Sequence, residues 1–362
     1  MRASVCAIVV AIGLATPAFA QADRNAATFW KSVQATCDAT AAKPASELGR
    51  RIAQTAIDEF SRFGGHRIDA DGRLFHFGLT EAEHNQEEGG NEQASLGRLG
   101  WWQVMKYWRA VYGDDIGDKL EVRGYRDAST STDPAKVSDL LALDIGLLLR
   151  AADGVSDPDT RETLRDAALR SAAVDTPWSA AFISYVIRQS GVTPTGFQFA
   201  NAHRAYIYDA FATSTAEQSH QVDVRIYRAC PLSSTRPRPG DLICHQRESA
   251  LANASEKEVR DRIREELASG TDKRSVGRTH CEVVAQIDAR ARKMYSIGGN
   301  VLHAVTARKL NLRRGLKLSA GQKGKCGASG NWTLPQAATG APRAESKCSL
   351  NDRKWFVLLQ LR

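Results

Sequence analysis

Apolar residues recur at helical spacing over residues 45–64, where Leu48, Ile52, Ala56 and Phe60 form one stripe and Gly64-Gly65 ends it. "GGHRIDADGRLFHFG" follows, with turn residues at "DADG" between two short alternating runs, and predicts a hairpin. Residues 96–113 carry Leu96, Leu99, Trp101, Trp102, Val104, Met105, Trp108 and Val111, the pattern of a helix with a heavy aromatic face. With Tyr107 and Tyr112 that face suits a sugar-binding groove or a core stripe, and its spacing favours the core. Residues 114–175 read as largely helical, with Leu140-Leu141, Leu143, Ile145 and Leu147 to Leu149 as a buried core helix.

The second half changes period. "PWSAAFISYVIRQSG", residues 177–191, sets Trp178, Phe182, Tyr185 and Val186 on one helical face, with Asp175 as the N-cap, Pro177 in the first turn and Gly191 at the end. Ser179 then lies where a helix N-terminus offers free N–H groups and partial positive charge. Short strands follow: "RPRPGDLICH" at 236–245, "RTHCEVVAQID" at 278–288 and "MYSIGGNVLHAV" at 294–305. On the second of these, His280, Glu282 and Val284 share one face and Cys281 and Val283 the other. A helix followed by antiparallel strands makes the unit α+β. Between two of the strands, residues 246–279 hold a charged helix, "SEKEVRDRIREEL", an insertion that reads as a lid, a clamp or a surface decoration. No proline-rich or low-complexity linker interrupts the chain, so residues 45–362 are expected to form one domain: a mainly helical part, 45–174, and a core, 175–362.

Residues 1–20 have Arg2, an apolar run from Val5 to Leu14 and small residues at Ala18 and Ala20, the pattern of a secretory signal peptide. The mature chain, after a short segment at 21–44, is expected to be exported, periplasmic or secreted, with no transmembrane segment. A formal charge of +8 favours an anionic envelope partner such as peptidoglycan, and no recognition motif for nucleic acid is present. Six cysteines lie outside the leader, and in an oxidising compartment they predict disulfides, with 15 possible pairings. Cys326 with Cys348 is the first choice, while Cys244 and Cys281 read as strand neighbours, either bonded or packed as thiols. No cysteine or histidine spacing suggests zinc, and neither a metal nor a cofactor is expected. The acidic stretch "TEAEHNQEEGGNE" at 80–92 has Glu81, Glu83, His84, Glu87 and Glu88 but no coordinating spacing, and reads as a solvated or substrate-facing loop.

The order of these motifs, a W-x-A-x-F helix start, P-x-x-G-D-L, a strand opening on His and a G-N strand, resembles the papain-like bacterial cell-wall peptidases and amidases of the NlpC and CHAP types. That resemblance covers about 175–305. "FSRFGGHRID", "LTEAEHN", "YWRAVYG", "AHRAYIYDA" and "YSIGGNVLHAV" are in addition similar to an uncharacterised bacterial family, domain of unknown function 2272, over most of 50–362. The papain-like resemblance implies a fold in which the nucleophile's helix packs on a short antiparallel sheet. It puts Ser179 at the nucleophile position, His280 at the base and Asn300 at the residue that orients the base, with Trp178, His203, His245 and Glu282 lining the cleft. It implies hydrolysis of an amide bond, foremost in peptidoglycan stem peptides. Serine where those enzymes carry cysteine is the departure. A hydroxyl cannot form the thiolate–imidazolium pair and needs its proton removed during attack. The alternative is a retired active site that binds wall fragments or a protein partner.

Overall fold

The structure, a computed structural model, describes residues 18–82, 100–116, 119–125, 140–221, 225–248, 251, 254–270, 275–319, 322 and 349–362. Side chains are described from Ala26 onward. Residues 1–17 of the expected leader, the acidic stretch beyond residue 82, and Cys326 and Cys348 lie outside the described residues.

Eight helices and eleven strands are formed among the described residues. The helices are α1 (Ala18–Ala41), α2 (Glu47–Arg62), α3 (Gly100–Tyr112), α4 (Ile145–Asp153), α5 (Pro158–Asp175), α6 (Ser179–Gln189), α7 (His203–Gln218) and α8 (Glu256–Ser269). The strands are β1 (His66–Ile68), β2 (Leu74–His76), β3 (Glu121–Tyr125), β4 (Leu140–Asp144), β5 (Tyr227–Cys230), β6 (Leu242–Glu248), β7 (Arg278–Asp288), β8 (Lys293–Val301), β9 (Ala304–Arg313), β10 (Lys317–Leu318) and β11 (Lys354–Leu361). The main sheet runs β2-β1-β9-β8-β7-β6-β11-β5, with β10 paired to β9, and only β1 and β9 pair in parallel. The molecule is thus α+β with a mostly antiparallel sheet.

Local chemistry explains several of these boundaries. Ser46 caps α2 by accepting the Gly49 N–H at 3.1 Å. Ser255 and Glu258 form a reciprocal capping box that starts α8, and Gly270 ends it with φ at 65°. The aromatic face of α3 is core: Trp101, Tyr107 and Trp108 are buried, and Tyr107 and Phe63 both pack on Trp178 of the α5–α6 connection. β1 and β2 make the expected hairpin, and β1 then pairs with β9, so the amino-terminal part joins the same sheet as the carboxy-terminal one.

Two expectations need correction. Residues 140–149 are not one buried helix: Leu140, Leu141 and Leu143 belong to β4, paired with β3, and Leu143 and Leu147 are exposed. A continuous apolar run fits strand and helix alike, and Asp144 at the junction is the N-cap of α4. Asp175 does not cap α6. It is the last residue of α5, accepts the Arg123 N–H at 2.8 Å, and leaves α6 to begin at Ser179 without a side-chain cap. Among the described residues the disulfides are Cys37–Cys230, which ties α1 to β5, and Cys244–Cys281, which joins β6 to β7 and takes the bonded alternative for that pair; the expected Cys326–Cys348 pair lies outside the described residues. Cys244 and Cys281 are register partners with Cα atoms 4.1 Å apart, so this bond follows from strand pairing.

Candidate functional site

Ser179 opens α6, which packs on β7 and β8. Its Oγ lies 2.8 Å from His203 Nε2, and both residues are buried. His203 is the first residue of α7, so the helix start delivers the imidazole, which packs edge to face on the His280 ring with centroids 4.9 Å apart. The ring therefore stands between Ser179 and His280. The expected bond from Ser179 to His280 is not formed, because His203 occupies that place.

Hydrogen-bond partners assign the proton on each histidine. A backbone N–H can only donate, and that of Cys281 donates to His203 Nδ1 at 3.2 Å, where the Tyr206 hydroxyl also converges. Nδ1 is then an acceptor, and a neutral His203 carries its proton on Nε2 and donates it to Ser179 Oγ. Burial holds His203 neutral, with its pKa well below the ordinary range, helped by His280, Arg247 and His245 and opposed by Glu282. Ser179 thus meets a histidine whose facing nitrogen has no lone pair to take a proton.

The same reasoning applies to the two strand histidines. His245 and His280 are register partners on β6 and β7. Arg247 donates to His280 Nδ1 at 3.0 Å, which leaves the proton on Nε2. That nitrogen is buried without a hydrogen-bond partner, 3.6 Å from Glu282 Oε1. His245 Nδ1 faces the Gln246 carbonyl at 3.0 Å and must donate, so its Nε2 lone pair is free. Burial lowers both pKa values well below the ordinary range. Arg247, Arg308 and Arg353 add to the effect on His280, and His280 and Arg308 lower His245 while the Gln246 carbonyl and Glu282 oppose.

Ligand atoms of His245, His280 and Glu282 lie within 4.8 Å of one another, close enough to be tested as a cation site. The donor set is unfavourable. Arg308 Nε and Ser296 Oγ each donate to Glu282 at 2.6 Å, and Arg247 occupies His280 Nδ1. A metal bound at His280 Nε2 needs that arginine displaced and enters a region already rich in guanidinium charge. The cluster is a buried ion pair flanked by neutral histidines.

Asn300 forms no hydrogen bond with His280. It lies in an irregular stretch of β8, partly buried, with φ at 51°. The two glycines before it have a packing role. A Cβ on Gly299 would stand 2.4 Å from Phe182 Cβ, and one on Gly298 would stand 2.9 Å from His280 Nε2. Their bare backbones let β8 close on α6 and on the histidine cluster. Trp178 is buried, and its Nε1–H donates to Glu81 Oε2 at 2.6 Å. His303, in the β8–β9 turn, holds the other oxygen of Glu81 at 2.7 Å. The first acidic residue of the 80–92 stretch is therefore a buried strut against α6, not a solvated one, and burial raises its pKa.

The pattern thus brought Ser179, His203, His245, His280 and Glu282 into one neighbourhood but did not give their pairings. Tyr206, Arg247 and Arg308 were not singled out. Tyr206 sits one turn after His203 in "AHRAYIYDA", the only local signal for this side of the site.

No curated protein and no solved structure matches the chain. The family model of an uncharacterised protein conserved in bacteria, domain of unknown function 2272, matches residues 97–361, which include Ser179, His203, His245, His280 and Glu282 but not Glu81. The chain belongs to this domain of unknown function 2272 family.

Proposed function

We propose that this chain is an exported, envelope-binding domain that keeps the helix-on-sheet plan of a papain-like wall enzyme and performs no acyl transfer at Ser179. The tautomer of His203 carries this reading: with the Cys281 N–H on Nδ1, the nitrogen facing Ser179 is a donor, whereas a general base needs a lone pair there. Export is supported by the leader pattern and two disulfides, and no described helix is long and apolar enough to cross a membrane. The basic balance of the chain favours an anionic partner, peptidoglycan foremost.

The contact of 2.8 Å between Ser179 and His203 favours a second reading, a hydrolase of stem-peptide amide bonds. There His203 takes the role first expected of His280, and its ring must surrender the Cys281 N–H to free Nε2. Purified peptidoglycan separates the two. The mature chain, beginning at Gln21, is incubated with it, the pellet is assayed for bound protein, and the released fragments are read by mass spectrometry. Cosedimentation without new fragments, unchanged in Ser179→Ala, is the expected result. New fragments that vanish in Ser179→Ala overturn the binding reading and establish a serine hydrolase.

A further inference from the structure

Between α8 and the strands β6 and β11 lies a cavity of about 300 Å³. The insertion between β6 and β7 builds one wall of it, through Val259, while β11 and the end of β6 build the other. Three features of its lining point to a ligand. Gln246 is buried, yet its side-chain Nε2 has no hydrogen-bond partner. An unpaired buried amide is costly, and such a group is normally found with its partner present. Arg353 and Lys354 line the same space, and Arg353 feels the charges of Glu282 and Asp352 without a direct hydrogen bond to either, while Arg308 opposes them. The buried carboxylate closest in chemistry, Glu282, is already bound by Arg308. Trp355 and Phe356 add an apolar floor, and Trp355 stacks edge to face on His245, which joins the cavity to the histidine cluster.

One acid also lines the cavity. Glu256 is held by Arg260 and by the Ser233 N–H, so its charge is spoken for. The remaining balance is donor-rich and positive.

We propose that this cavity binds a carboxylate carried on a small apolar body, with the carboxylate at Arg353 and Gln246 Nε2 and the body against Trp355 and Val259. Charge-assisted bonds to a guanidinium are the strong class, and the amide completes a second donor. Either the free end of a wall stem peptide or a soluble acyl amino acid presents this chemistry. The proposal rests on the binding reading only for the source of the ligand.

The probes are N-acetyl-alanyl-alanine and its C-terminal amide, titrated into the mature chain while the indole resonance of Trp355 is followed by NMR. The acid is expected to bind at least about tenfold more tightly than the amide, the value of one charge-assisted contact. Arg353→Ala removes that preference. Gln246→Leu weakens acid binding while raising Tm, because it deletes an unpaired buried amide from the unliganded protein. Equal binding of acid and amide, or a preference that survives Arg353→Ala, overturns the proposal. Peptidoglycan sedimentation of the same variants separates its failure from that of the binding reading. Wall binding that persists without any response to the acid overturns the cavity alone. Acid binding without wall sedimentation leaves the cavity standing, makes the soluble acid the source and removes the wall as ligand.

Discussion

Ser179 and His203 show how little a short contact says about chemistry until the proton is placed. A serine hydroxyl 2.8 Å from an imidazole is the arrangement of a nucleophile and its base. What reverses its meaning is the backbone N–H of Cys281, an obligate donor on the far nitrogen. Ser179 is then the acceptor that satisfies a buried His203 N–H. Ser179→Ala should therefore destabilise the protein by about 1–3 kcal/mol, the cost of leaving a buried donor unmet. Chemical denaturation checks this, and a loss below about 0.5 kcal/mol contradicts the assignment. The sequence made Ser179 visible through its place at a helix start, and placed His280 and Glu282 on one face through strand alternation. It could not show that His203 intervenes, because that depends on how α7 packs over β7, and nothing in the local pattern of α7 encodes that contact.

At the scale of elements, the strands that carry the site were more legible than the segment before them. β7 occupies the residues read from "RTHCEVVAQID", since β-branched and alternating positions leave little choice. Residues 140–149 were not, since their apolar run lacks alternation and Asp144 divides it between β4 and α4. The Gly298-Gly299 pair entered the sequence reading only within a G-N strand, yet it fixes how β8 meets α6. Gly299→Ala should place its Cβ on Phe182 and cost about 1–3 kcal/mol as the strand is forced off the helix. Thermal unfolding of Gly299→Ala beside Gly315→Ala is the check. Gly315 has φ at 79° with nothing within 4 Å of an added Cβ, so its variant reports backbone strain without a clash. Gly299 itself is not in the left-handed region, so a Gly299→Ala loss below about 0.5 kcal/mol would remove the close approach as the reason for the glycine.

For the molecule as a whole, the buried titratable groups set the response to acid. His203, His245 and His280 fold as neutral rings with pKa values well below 6.5, so below that pH the unfolded state binds more protons and stability falls. Asp241 acts in the opposite sense. Burial outweighs its Arg238 partner and raises its pKa to about 7, so acidification from about pH 7 to about pH 4 favours the folded state. Glu81, raised by burial, acts in the same direction as Asp241. Asp209, also raised by burial, acts with them; each group contributes at most about 1.4 kcal/mol per pH unit, and the three fully buried histidines outweigh one strongly raised carboxyl and two less strongly raised ones. Tm should therefore fall between pH 6.5 and pH 5, and His245→Gln should make that fall shallower. A Tm that is level or rises on acidification contradicts the neutral cluster. The two disulfides among the described residues join parts of the chain 193 and 37 residues apart, and both should be kept oxidised in this measurement.

The chemistry open to Ser179 turns on one proton, and the position of that proton can be observed. Long-range ¹H–¹⁵N NMR of the histidine rings, assigned to His203 by comparison with His203→Gln, reports which nitrogen carries hydrogen at neutral pH. The structure predicts a protonated Nε2 and a bare Nδ1, with the Nε2 proton lost from view as a sharp hydrogen bond in Ser179→Ala. A bare Nε2 with the proton on Nδ1 would mean that Ser179 donates to a poised base, and the non-catalytic reading would give way to a serine hydrolase.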